Sequence, residues 1–536
     1  MAFIPIYLII IPILTSLIIY LVKVKYVNYI ALSSQLILTV LAVLYYTTFR
    51  VPGGIDAPMV EIGGWAARVG ISLRVDSLSM SFIFLAIFSW WMVLIYIFER
   101  KNQDYNLLFF LIFLQGVFLG ILQTNDLFNM FVFVELTTII VTILIAYKKT
   151  GASFRAAMYY LLLNTSGVLS FLIGIIFVYN VFGTINIQVI TDNMVDFKDF
   201  TVIRYAFALM LAGVSVKAAL FPVFTWLPKA HGSAQSSISA LLSGLIVKGG
   251  LYLFIRINQM FAAAEFNIHT FFFVIGAITA LLGIIFAISQ KDLKQMLAYS
   301  TISQVGLIMI GLSSSDTQVF FGGVYHIFNH ALFKILLFLS VGVIIRVFST
   351  KKIDAIRGMF RTMPFISSAM IIGMLAITGA PLLNGFISKS IIIYGFRGTN
   401  IQYWILFIAN ILTATLFMKM AIIFIGPKQV SYRMKHWAYD ISLAFLALAC
   451  VILGNFYIPI ADGFFGVDFS SIQAFSLGAL FDYSLVLLIA FLLNYFIIRK
   501  DYGFIQKLRN FQLSFEHANY IFITYIVLLT AYFVLI

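Results

Sequence analysis

Long apolar runs separated by short polar stretches are the main pattern of this chain. Runs of about 20 apolar residues recur from one end of the 536-residue sequence to the other, and this is the length that an α-helix needs to cross a bilayer. We count 16 candidate spans. The first, Phe3 to Leu21, lacks a basic stretch before it and a small-residue cleavage site after it. We therefore expect an uncleaved spanning helix rather than a signal peptide.

Two polar stretches interrupt this pattern. Residues 51–76 contain paired glycines and an alternation of apolar and polar side chains from Ile71 to Val75, which predicts a short hairpin lying on one membrane face. The second stretch, residues 191–200, is short and acidic. The sequence thus predicts an all-α integral membrane protein of about 14–16 transmembrane helices.

Composition excludes a soluble globular protein. Hydrophobic residues make up 62% of the chain and charged residues 10%, with a mean hydropathy of +1.05, whereas a soluble domain has roughly a quarter of its residues charged. The net charge of +14 is explained by the basic loops that membrane insertion requires, so we expect no nucleic-acid partner. The single cysteine, Cys450, excludes an internal disulfide and a self-contained iron–sulfur or Cys-ligated zinc site.

Loop charges predict the orientation. Loops after odd-numbered spans carry 22 Lys and Arg residues, and loops after even-numbered spans carry seven. Because cytoplasmic loops are enriched in basic residues, we expect the odd loops in the cytoplasm, the chain in the cell membrane and both termini outside.

A few ionisable residues lie well inside the spans. Such groups cost a few kcal/mol each and are candidate functional residues; they comprise one acid and five lysines, Glu135, Lys217, Lys248, Lys334, Lys389 and Lys419. Apolar residues flank Glu135 on both sides, so a nearby lysine would be needed to keep it charged. The structural alternative for Glu135 is a static ion pair between helices. Lys419 lies seven residues before Gly426 and can reach the cytoplasmic face, so we leave it out of the site.

Two of these lysines accompany broken spans. Phe221-Pro222 follows Lys217, and the segment 379–385, with Pro381, precedes Lys389. Proline interrupts a helix, and loosened backbone at membrane depth survives only beside a cavity or protein interior. The breaks lie five spans apart, which matches the pattern of a transporter with two inverted five-helix repeats.

Two further spans carry titratable side chains. Lys248 lies more than ten residues into the eighth span and is followed by two glycines that permit close helix packing. His326, His330 and Lys334 follow one another at four-residue intervals, so they share one helix face. Histidine titrates near neutral pH and suits a relay. The alternatives are a metal site, which lacks acidic or cysteine ligands here, and a purely structural Lys334 that donates to a backbone carbonyl.

These residues suggest a proton relay. A lysine held away from water is less costly in its neutral form, so it can take up and release a proton as neighbouring charges move. We hypothesise that Lys217 keeps its proton when Glu135 approaches and passes it towards Lys248 when Glu135 moves away. Transport that survives Lys217→Ala would contradict this hypothesis.

The same segments resemble those of antiporter-like membrane subunits. Residues 217–231 resemble the broken seventh helix of that family, 238–252 the eighth, 326–334 the eleventh and 385–389 the twelfth, in the expected order over roughly residues 60 to 430. The family includes the large membrane subunits of respiratory complex I, the D subunits of Mrp-type cation/proton antiporters, and equivalents in membrane-bound hydrogenases and sulfur reductases.

The resemblance implies roles for the buried residues. Spans 4–8 and 9–13 would form the two inverted repeats, each a half-channel. Glu135 with Lys217 would be the input pair, Lys248 the central relay and Lys389 the terminal site, with His326 and His330 as a bridge. A terminal lysine is more similar to the D-type subunits of Mrp antiporters than to every complex I relative.

Some positions depart from the family pattern on the input side. Phe224 stands where many members have histidine, Lys229 stands where an acid is common, and Gln235-Ser236 replace a proline-containing segment. The break before Lys389 also lacks the common double proline.

We therefore expect a proton-translocating subunit of a larger membrane complex, either a redox-driven ion pump or an Mrp cation/proton antiporter. Its partners would be other membrane subunits, the lipid bilayer and H⁺, with Na⁺ left open. The sequence contains no redox motif, so we expect no cofactor in this chain and assign redox chemistry to partners. The alternatives are a stand-alone transporter of a small solute, a membrane-embedded enzyme and a scaffold. The expected divisions are 1–105, 106–260 and 261–426 for the N-terminal spans and two repeats, then 427–536 for the C-terminal spans.

Overall fold

The computed structural model is a bundle of α-helices with four short β-strands at one end. It describes residues 1–536 except 23–25, 99–103, 196, 198–200, 397, 399, 431–436, 471–475 and 536. Some basic residues used to predict the orientation lie outside the described residues, namely Lys23, Lys25, Arg100, Lys101, Lys198, Arg397, Arg433 and Lys435.

The N-terminal part consists of three helices and two small antiparallel strand pairs. The helices are α1 (Ile4–Val22), α2 (Val27–Phe49) and α3 (Ser77–Ile97). Strand β1 (Arg50–Val51) pairs with β2 (Gly54–Ile55), and β3 (Val60–Glu61) pairs with β4 (Ser72–Leu73). The predicted hairpin is therefore two short pairs, and we call the end of the bundle that carries them the hairpin face.

The next part contains five crossings, the fourth of them broken. Its helices are α4 (Tyr105–Gln123), α5 (Leu127–Ala146), α6 (Gly151–Phe182), α7 (Ile187–Met194), α8 (Thr201–Lys217), α9 (Trp226–Ser233), α10 (Ser236–Leu241) and α11 (Val247–Met260). A π-helical turn, Leu242–Ile246, joins α10 to α11. The acidic stretch at residues 191–200 thus begins inside the short helix α7.

A second set of five crossings follows, again with the fourth one broken. It comprises α12 (His269–Ser289), α13 (Leu293–Leu312), α14 (Thr317–Phe348), α15 (Met359–Thr362), α16 (Pro364–Thr378), α17 (Asn384–Gly395) and α18 (Asn400–Met420). Short 3-10 helices lie at Ile62–Gly64, Ala262–Ala264, Ile353–Ala355, Ala421–Phe424 and Ile498–Lys500.

The two sets match element by element and run in opposite directions. The third crossing is 32 residues long in both sets, as α6 and as α14, and the fourth is broken in both, between α8 and α9 and between α16 and α17. Five crossings are an odd number, so the second set starts on the face where the first set ends. Fourteen helices of the described chain are long and apolar enough to cross a membrane, and the two broken crossings add to them.

The C-terminal helices link the two sets on the face opposite the hairpins. They are α19 (Trp437–Asn455), α20 (Tyr457–Phe465), α21 (Leu477–Phe496), α22 (Gly503–Arg509) and α23 (Phe515–Leu535). Helix α21 packs on α18, α22 on α12, and α23 on α8. The lateral segment between α21 and α23 comprises only residues 497–514.

Arg509 fastens this lateral segment. Its Nε donates to the Ser289 carbonyl at 2.7 Å, and its guanidinium pairs with Asp501, which also pairs with Lys291 at 3.0 Å. The hydrogen bond from Arg509 brings the pKa of Asp501 down to about 2.

Most aspartates near the spans act as helix caps rather than as intramembrane charges. Each accepts a hydrogen bond from a backbone N–H of the first turn, which satisfies an otherwise unpaired donor; these residues are Asp76, Asp104, Asp126, Asp292 and Asp316. Asp76 also pairs with Arg256 at 2.6 Å. Burial opposes ionisation of Asp76, but the Arg256 guanidinium holds the pKa of that carboxyl well below its usual range.

Several basic residues counted as loop residues lie inside helices. The structure places Arg155, Arg204, Lys229, Arg256, Lys294 and Arg346 in α6, α8, α9, α11, α13 and α14. Apolar patterns fix helix ends only to within a few residues, and Lys and Arg near an end extend their charged groups along the helix. Lys294 is the main correction, because it is only 3% exposed.

Candidate functional site

The first break places Lys217 at the end of α8. Beyond it Ala219 takes a left-handed conformation (φ +56°), and α9 begins at Trp226. Two side chains satisfy the loosened backbone: the Trp226 indole donates to the Val216 carbonyl at 2.8 Å, and the Phe221 N–H donates to the Thr279 hydroxyl at 2.9 Å. The break is thus a built feature with buried polar groups paired.

Lys217 and Glu135 lie near one another without forming an ion pair. The Lys217 ammonium donates to the Thr138 hydroxyl, one helical turn beyond Glu135 on α5. One Glu135 oxygen accepts from Thr165 at 2.9 Å, and the other is buried without a hydrogen-bond partner among the described residues. The geometry contradicts a static ion pair and leaves both charges able to rearrange.

Lys248 lies in the centre of the bundle, fully buried. Its ammonium donates to the Ser243 carbonyl inside the π-helical turn. The Ser243 hydroxyl shares a hydrogen bond of 2.8 Å with Thr301 on α13. Gly250, two residues after Lys248, packs against the backbone of Lys217 and Ala218.

Helix α14 presents the two histidines and Lys334 to different partners. His326 contacts the Ser388 hydroxyl at 2.8 Å through Nδ1 and Gln304 Oε1 at 3.1 Å through Nε2. His330 stacks on His326, with ring centroids 6.2 Å apart, and neither of its ring nitrogens has a hydrogen-bond partner among the described residues. Lys334 donates to the Leu297 carbonyl at 3.0 Å and to Ser300.

The second break places Lys389 after the interruption, in α17, whereas Lys217 lies before the first one, at the end of α8. Helix α16 ends at Thr378, and Gly379 (φ +83°) and Leu382 (φ +68°) turn the chain into α17. The Lys389 ammonium donates to the Ile377 carbonyl at 2.6 Å and to Asn410 Oδ1 at 2.9 Å. The Ile377 carbonyl lies in the last turn of α16, where the helix leaves carbonyls unpaired.

One face of α13 joins the central groups. Leu297, Ser300, Thr301 and Gln304 are spaced by three, one and three residues, so they share a helix face. This face contacts Lys334, the Ser243 hydroxyl beside Lys248, and His326. Hydrogen bonds continue from Gln304 through His326 to Ser388, the residue before Lys389. The sequence interpretation did not single out this polar face of α13, because serine, threonine and glutamine in an apolar helix carry no distinctive signal.

His231 and Lys294 were also missed. His231 is fully buried, stacks on Phe338 with centroids 4.6 Å apart, and has no hydrogen-bond partner among the described residues. Lys294 donates to the Ala234 carbonyl at 2.8 Å. A buried histidine beside a broken helix was a usable signal for this site.

Lys419 caps the C-terminal end of α12. Its ammonium donates to the carbonyls of Ile288 and Gln290 at 2.6 and 2.7 Å, at the C-terminal end of α12, where a cation stabilises a helix. This agrees with leaving Lys419 out of the site. In the part of the chain that the structure describes, no group of three or more His, Cys, Asp or Glu side chains could hold a metal ion.

A cavity of about 660 Å³ opens beside the first break on the face opposite the hairpins. Phe224 and Lys229, two of the departures from the family pattern, line it. The Lys229 ammonium lies 3.4 Å from the centroid of the Tyr159 ring and donates to the Leu513 carbonyl at 2.7 Å. Lys229 therefore links α9 to the C-terminal segment at this opening.

The partners of the intramembrane lysines share one property. Among the described residues each ammonium donates only to neutral oxygens, from backbone carbonyls, hydroxyls and an amide. A neutral acceptor stabilises an ammonium less than a carboxylate does. Such lysines can lose a proton without leaving an uncompensated negative charge behind, so the arrangement suits proton exchange.

Comparisons with a family model and with known sequences identify the same family. The family described as NADH:quinone oxidoreductase/Mrp antiporter, TM, matches residues 124–416. A putative antiporter subunit mnhD2 of Staphylococcus aureus is 32% identical over 340 residues, covering 63% of this chain and 68% of the relative. The D subunit of a Na(+)/H(+) antiporter of Alkalihalophilus pseudofirmus is 30% identical over 348 residues, covering 64% and 70%.

Solved structures share the fold. A chain of an archaeal membrane-bound sulfane sulfur reductase aligns with a TM-score of 0.78 at 26% identity, covering 91% of this chain and 99% of the other. A chain of the Mrp complex from Dietzia sp. aligns with a TM-score of 0.77 at 19% identity, covering 95% and 99%. A chain of respiratory complex I from Thermus thermophilus aligns with a TM-score of 0.75 at 21% identity, covering 91% and 99%. These findings confirm the resemblance seen in the sequence.

Proposed function

The chain belongs to the NADH:quinone oxidoreductase/Mrp antiporter transmembrane family, and from this we propose that it is a proton-translocating subunit of a multisubunit membrane complex. The relatives named above are subunits of a Na(+)/H(+) antiporter and of respiratory membrane complexes. Other membrane subunits are therefore its expected partners, with H⁺ as the carried ion and Na⁺ as a second ion to be tested.

The observation that carries this proposal is the pairing of each broken helix with one lysine on neutral acceptors. Lys217 donates to Thr138, and Lys389 donates to Ile377 O and Asn410. Neutral acceptors inside a membrane allow the lysine to alternate between charged and neutral forms. A solute transporter would use the polar groups at its broken helices to bind the ligand, whereas both lysines here already donate to protein oxygens.

The proposed path follows the buried contacts. Glu135 and Lys217 receive the proton at the first break, where the 660 Å³ cavity opens, and Lys248 relays it to the face of α13. His326 and His330 carry it towards Lys389, with Lys334 anchored on α13 beside them. Water molecules would bridge the gaps between these groups, as they do between buried polar groups in other proteins.

The location and orientation belong to the same proposal. The excess of basic residues in odd-numbered loops supports insertion in the cytoplasmic membrane with both termini outside. The 660 Å³ cavity then opens to the cytoplasm, where protons would be taken up. Redox chemistry, where the complex performs any, belongs to partner subunits.

The test begins with the complex. The tagged full chain is purified from its own cells in mild detergent, co-purifying subunits are identified by mass spectrometry, and the assembly is reconstituted in liposomes containing a pH-sensitive dye. The driving force is a NaCl gradient, or the electron donor that the identified partners accept. We expect Lys217→Ala and Lys389→Ala to abolish proton movement and Lys428→Ala, an exposed loop variant, to leave it unchanged.

Two results would contradict the proposal. Proton movement that persists in both lysine variants would exclude the relay. A chain that purifies alone and transports a solute would favour the stand-alone transporter. Replacing NaCl with choline chloride decides whether Na⁺ is exchanged for H⁺.

A further inference from the structure

A small cavity lies beside the terminal lysine. It has a volume of about 240 Å³ and lies between α17, α18 and α21, and both Lys389 and Asp482 line it. Asp482 is the only Asp, Glu, Lys or Arg in helix α21. A charged side chain in an otherwise apolar spanning helix is costly and marks an ion pathway more often than a packing contact.

Helix α21 is held so that Asp482 faces this cavity. Ala479, Asp482, Tyr483 and Val486 all line the cavity and are spaced by three, one and three residues, which defines one helix face. The Tyr483 hydroxyl shares a hydrogen bond of 2.8 Å with Thr378 at the end of α16. Val486 packs against α18 in a small apolar cluster. These contacts hold α21 with Asp482 on the side of the helix that lines the cavity.

The Lys389 ammonium has a proton available on the cavity side. An ammonium carries three N–H donors, and two of them donate to Ile377 O and Asn410 Oδ1. The third is left for the cavity that Lys389 lines. A cavity of this size has room for several water molecules, each of which occupies ~30 Å³ in the liquid.

Asp482 stands between Lys389 and the outside of the bundle. Lys389 is 3% exposed, whereas Asp482 is exposed. Asp482 is five residues from the start of α21, ~8 Å along the helix at 1.5 Å per residue. The chain reaches α21 from Gly466, which lies against Gly53 of the hairpins. The cavity therefore leads from Lys389 towards the hairpin face.

We propose that Asp482 is the proton acceptor of the exit path, a role that rests on the proposed function of the chain. The Lys389 ammonium gives one proton through cavity water to the Asp482 carboxylate, which leaves a neutral amine and a neutral carboxylic acid. The acid then releases the proton to water at the hairpin face and becomes a carboxylate again. The next proton from the His326 side recharges Lys389.

A cysteine substitution tests this inference, because the single native cysteine of the chain, Cys450, is fully buried. Asp482→Cys is compared in the reconstituted complex with Asp468→Cys, which alters an exposed aspartate before α21. We expect Asp482→Cys to slow proton movement about tenfold or more, as loss of a positioned proton acceptor does. Asp468→Cys should transport like the unmodified complex.

Thiol reagents then separate a proton acceptor from a structural role. A methanethiosulfonate that adds a carboxyethyl group should restore most of the rate in Asp482→Cys. A reagent of similar size that adds a trimethylammonium group should not. Recovery with both reagents, or a normal rate in Asp482→Cys, would overturn the inference. The unmodified complex treated with each reagent controls for partner cysteines.

The outcome remains distinguishable from failure of the proposed function. Lys389→Ala measured in parallel tests the relay itself: lost transport in Lys389→Ala with normal transport in Asp482→Cys rejects only the exit acceptor. If Asp482→Cys assembles poorly, Asp482→Asn, which keeps the side-chain size, takes its place. Slow transport in Asp482→Asn with a normal rate in Asp482→Glu supports the inference, and equal rates in the two variants reject it.

Discussion

The packing of Gly250 against the first broken helix predicts a measurable effect of a single methyl group. A Cβ at position 250 would lie 2.6 Å from the Ala218 nitrogen and 2.8 Å from the Lys217 carbonyl carbon. Ordinary contacts begin at 3.4 Å, so the methyl group is 0.8 Å too close to rigid backbone (3.4 minus 2.6). Gly250→Ala must therefore push α11 away from the break.

The neighbouring glycine provides a matched control. A Cβ at position 249 would lie 3.1 Å from Phe118 Cε2, the edge of a side chain that can shift. Both substitutions gain the same helix propensity, roughly 1 kcal/mol, and this gain cancels in the comparison. Overpacking against backbone costs about 1–3 kcal/mol. We therefore expect Gly250→Ala to be less stable than Gly249→Ala by about 1–3 kcal/mol.

The same displacement should affect transport. Lys248 is on α11, and Gly250 is the point at which α11 contacts the backbone of Lys217. A misplacement of about 1 Å between reacting groups can cost up to ~10²-fold in rate. We expect proton movement in Gly250→Ala to fall about tenfold or more, while Gly249→Ala stays within about twofold of the unmodified complex.

The assay measures both quantities on the purified complex. Apparent Tm values of the two variants are compared in the same detergent at one scan rate, because unfolding of such assemblies is irreversible, and dye-reported proton flux is measured in liposomes. Equal Tm values together with equal flux would show that α11 does not depend on close approach at Gly250. That result would refute the packing argument.

Three further predictions concern residues around this site. Asp76→Asn should destabilise the complex by about 3 kcal/mol, because it leaves the Arg256 guanidinium without its carboxylate partner. The folded pKa of Asp76 is depressed, so pH-dependent unfolding should show the full contribution of the pair at pH 5–7 and a decline only below about pH 4, the pKa in the unfolded chain. Lys419→Met should lower the Tm by removing the cap on α12 yet leave flux per assembled complex unchanged, whereas lost flux in fully assembled protein would place Lys419 in the relay. Gln304→Leu should slow flux by removing the His326 Nε2 partner, and a rate equal to that of the exposed-surface variant Gln506→Leu would exclude α13 from the path.

Much of the fold was predictable because its physical signals are strong. Apolar runs of spanning length identify the crossings, and Pro222 and Pro381 identify the breaks. Buried lysines are rare enough in spans to be recognised one by one, and Lys217, Lys248, Lys334 and Lys389 lie inside the bundle, as expected. The domain boundaries and the role of each lysine stay predictions.

Other parts of the site were not predictable from the residues alone. Whether Glu135 pairs with Lys217 depends on side-chain distances, and here each of the two bonds a threonine hydroxyl instead. Lys294 resembles a loop residue because it begins α13 next to polar neighbours, and only the packing of α9 and α10 buries it. Asp482 lies near a helix start, where an acid is common in sequences, and only the position of α21 turns it towards Lys389.

The excess of lysines over acids in the bundle suggests why protons would move stepwise from one group to the next. Lys248, Lys334 and Lys389 are all buried in the same bundle. Two unit charges ~10 Å apart at an effective dielectric constant of ~20 repel by roughly 1.7 kcal/mol, more than tenfold in a proton equilibrium. Protonation of one group therefore disfavours protonation of its neighbours. Glu135, the acid near Lys217, offsets a single positive charge. A proton arriving at Lys217 thus favours release further along, and the carboxylate of Asp482 lies where that release would end.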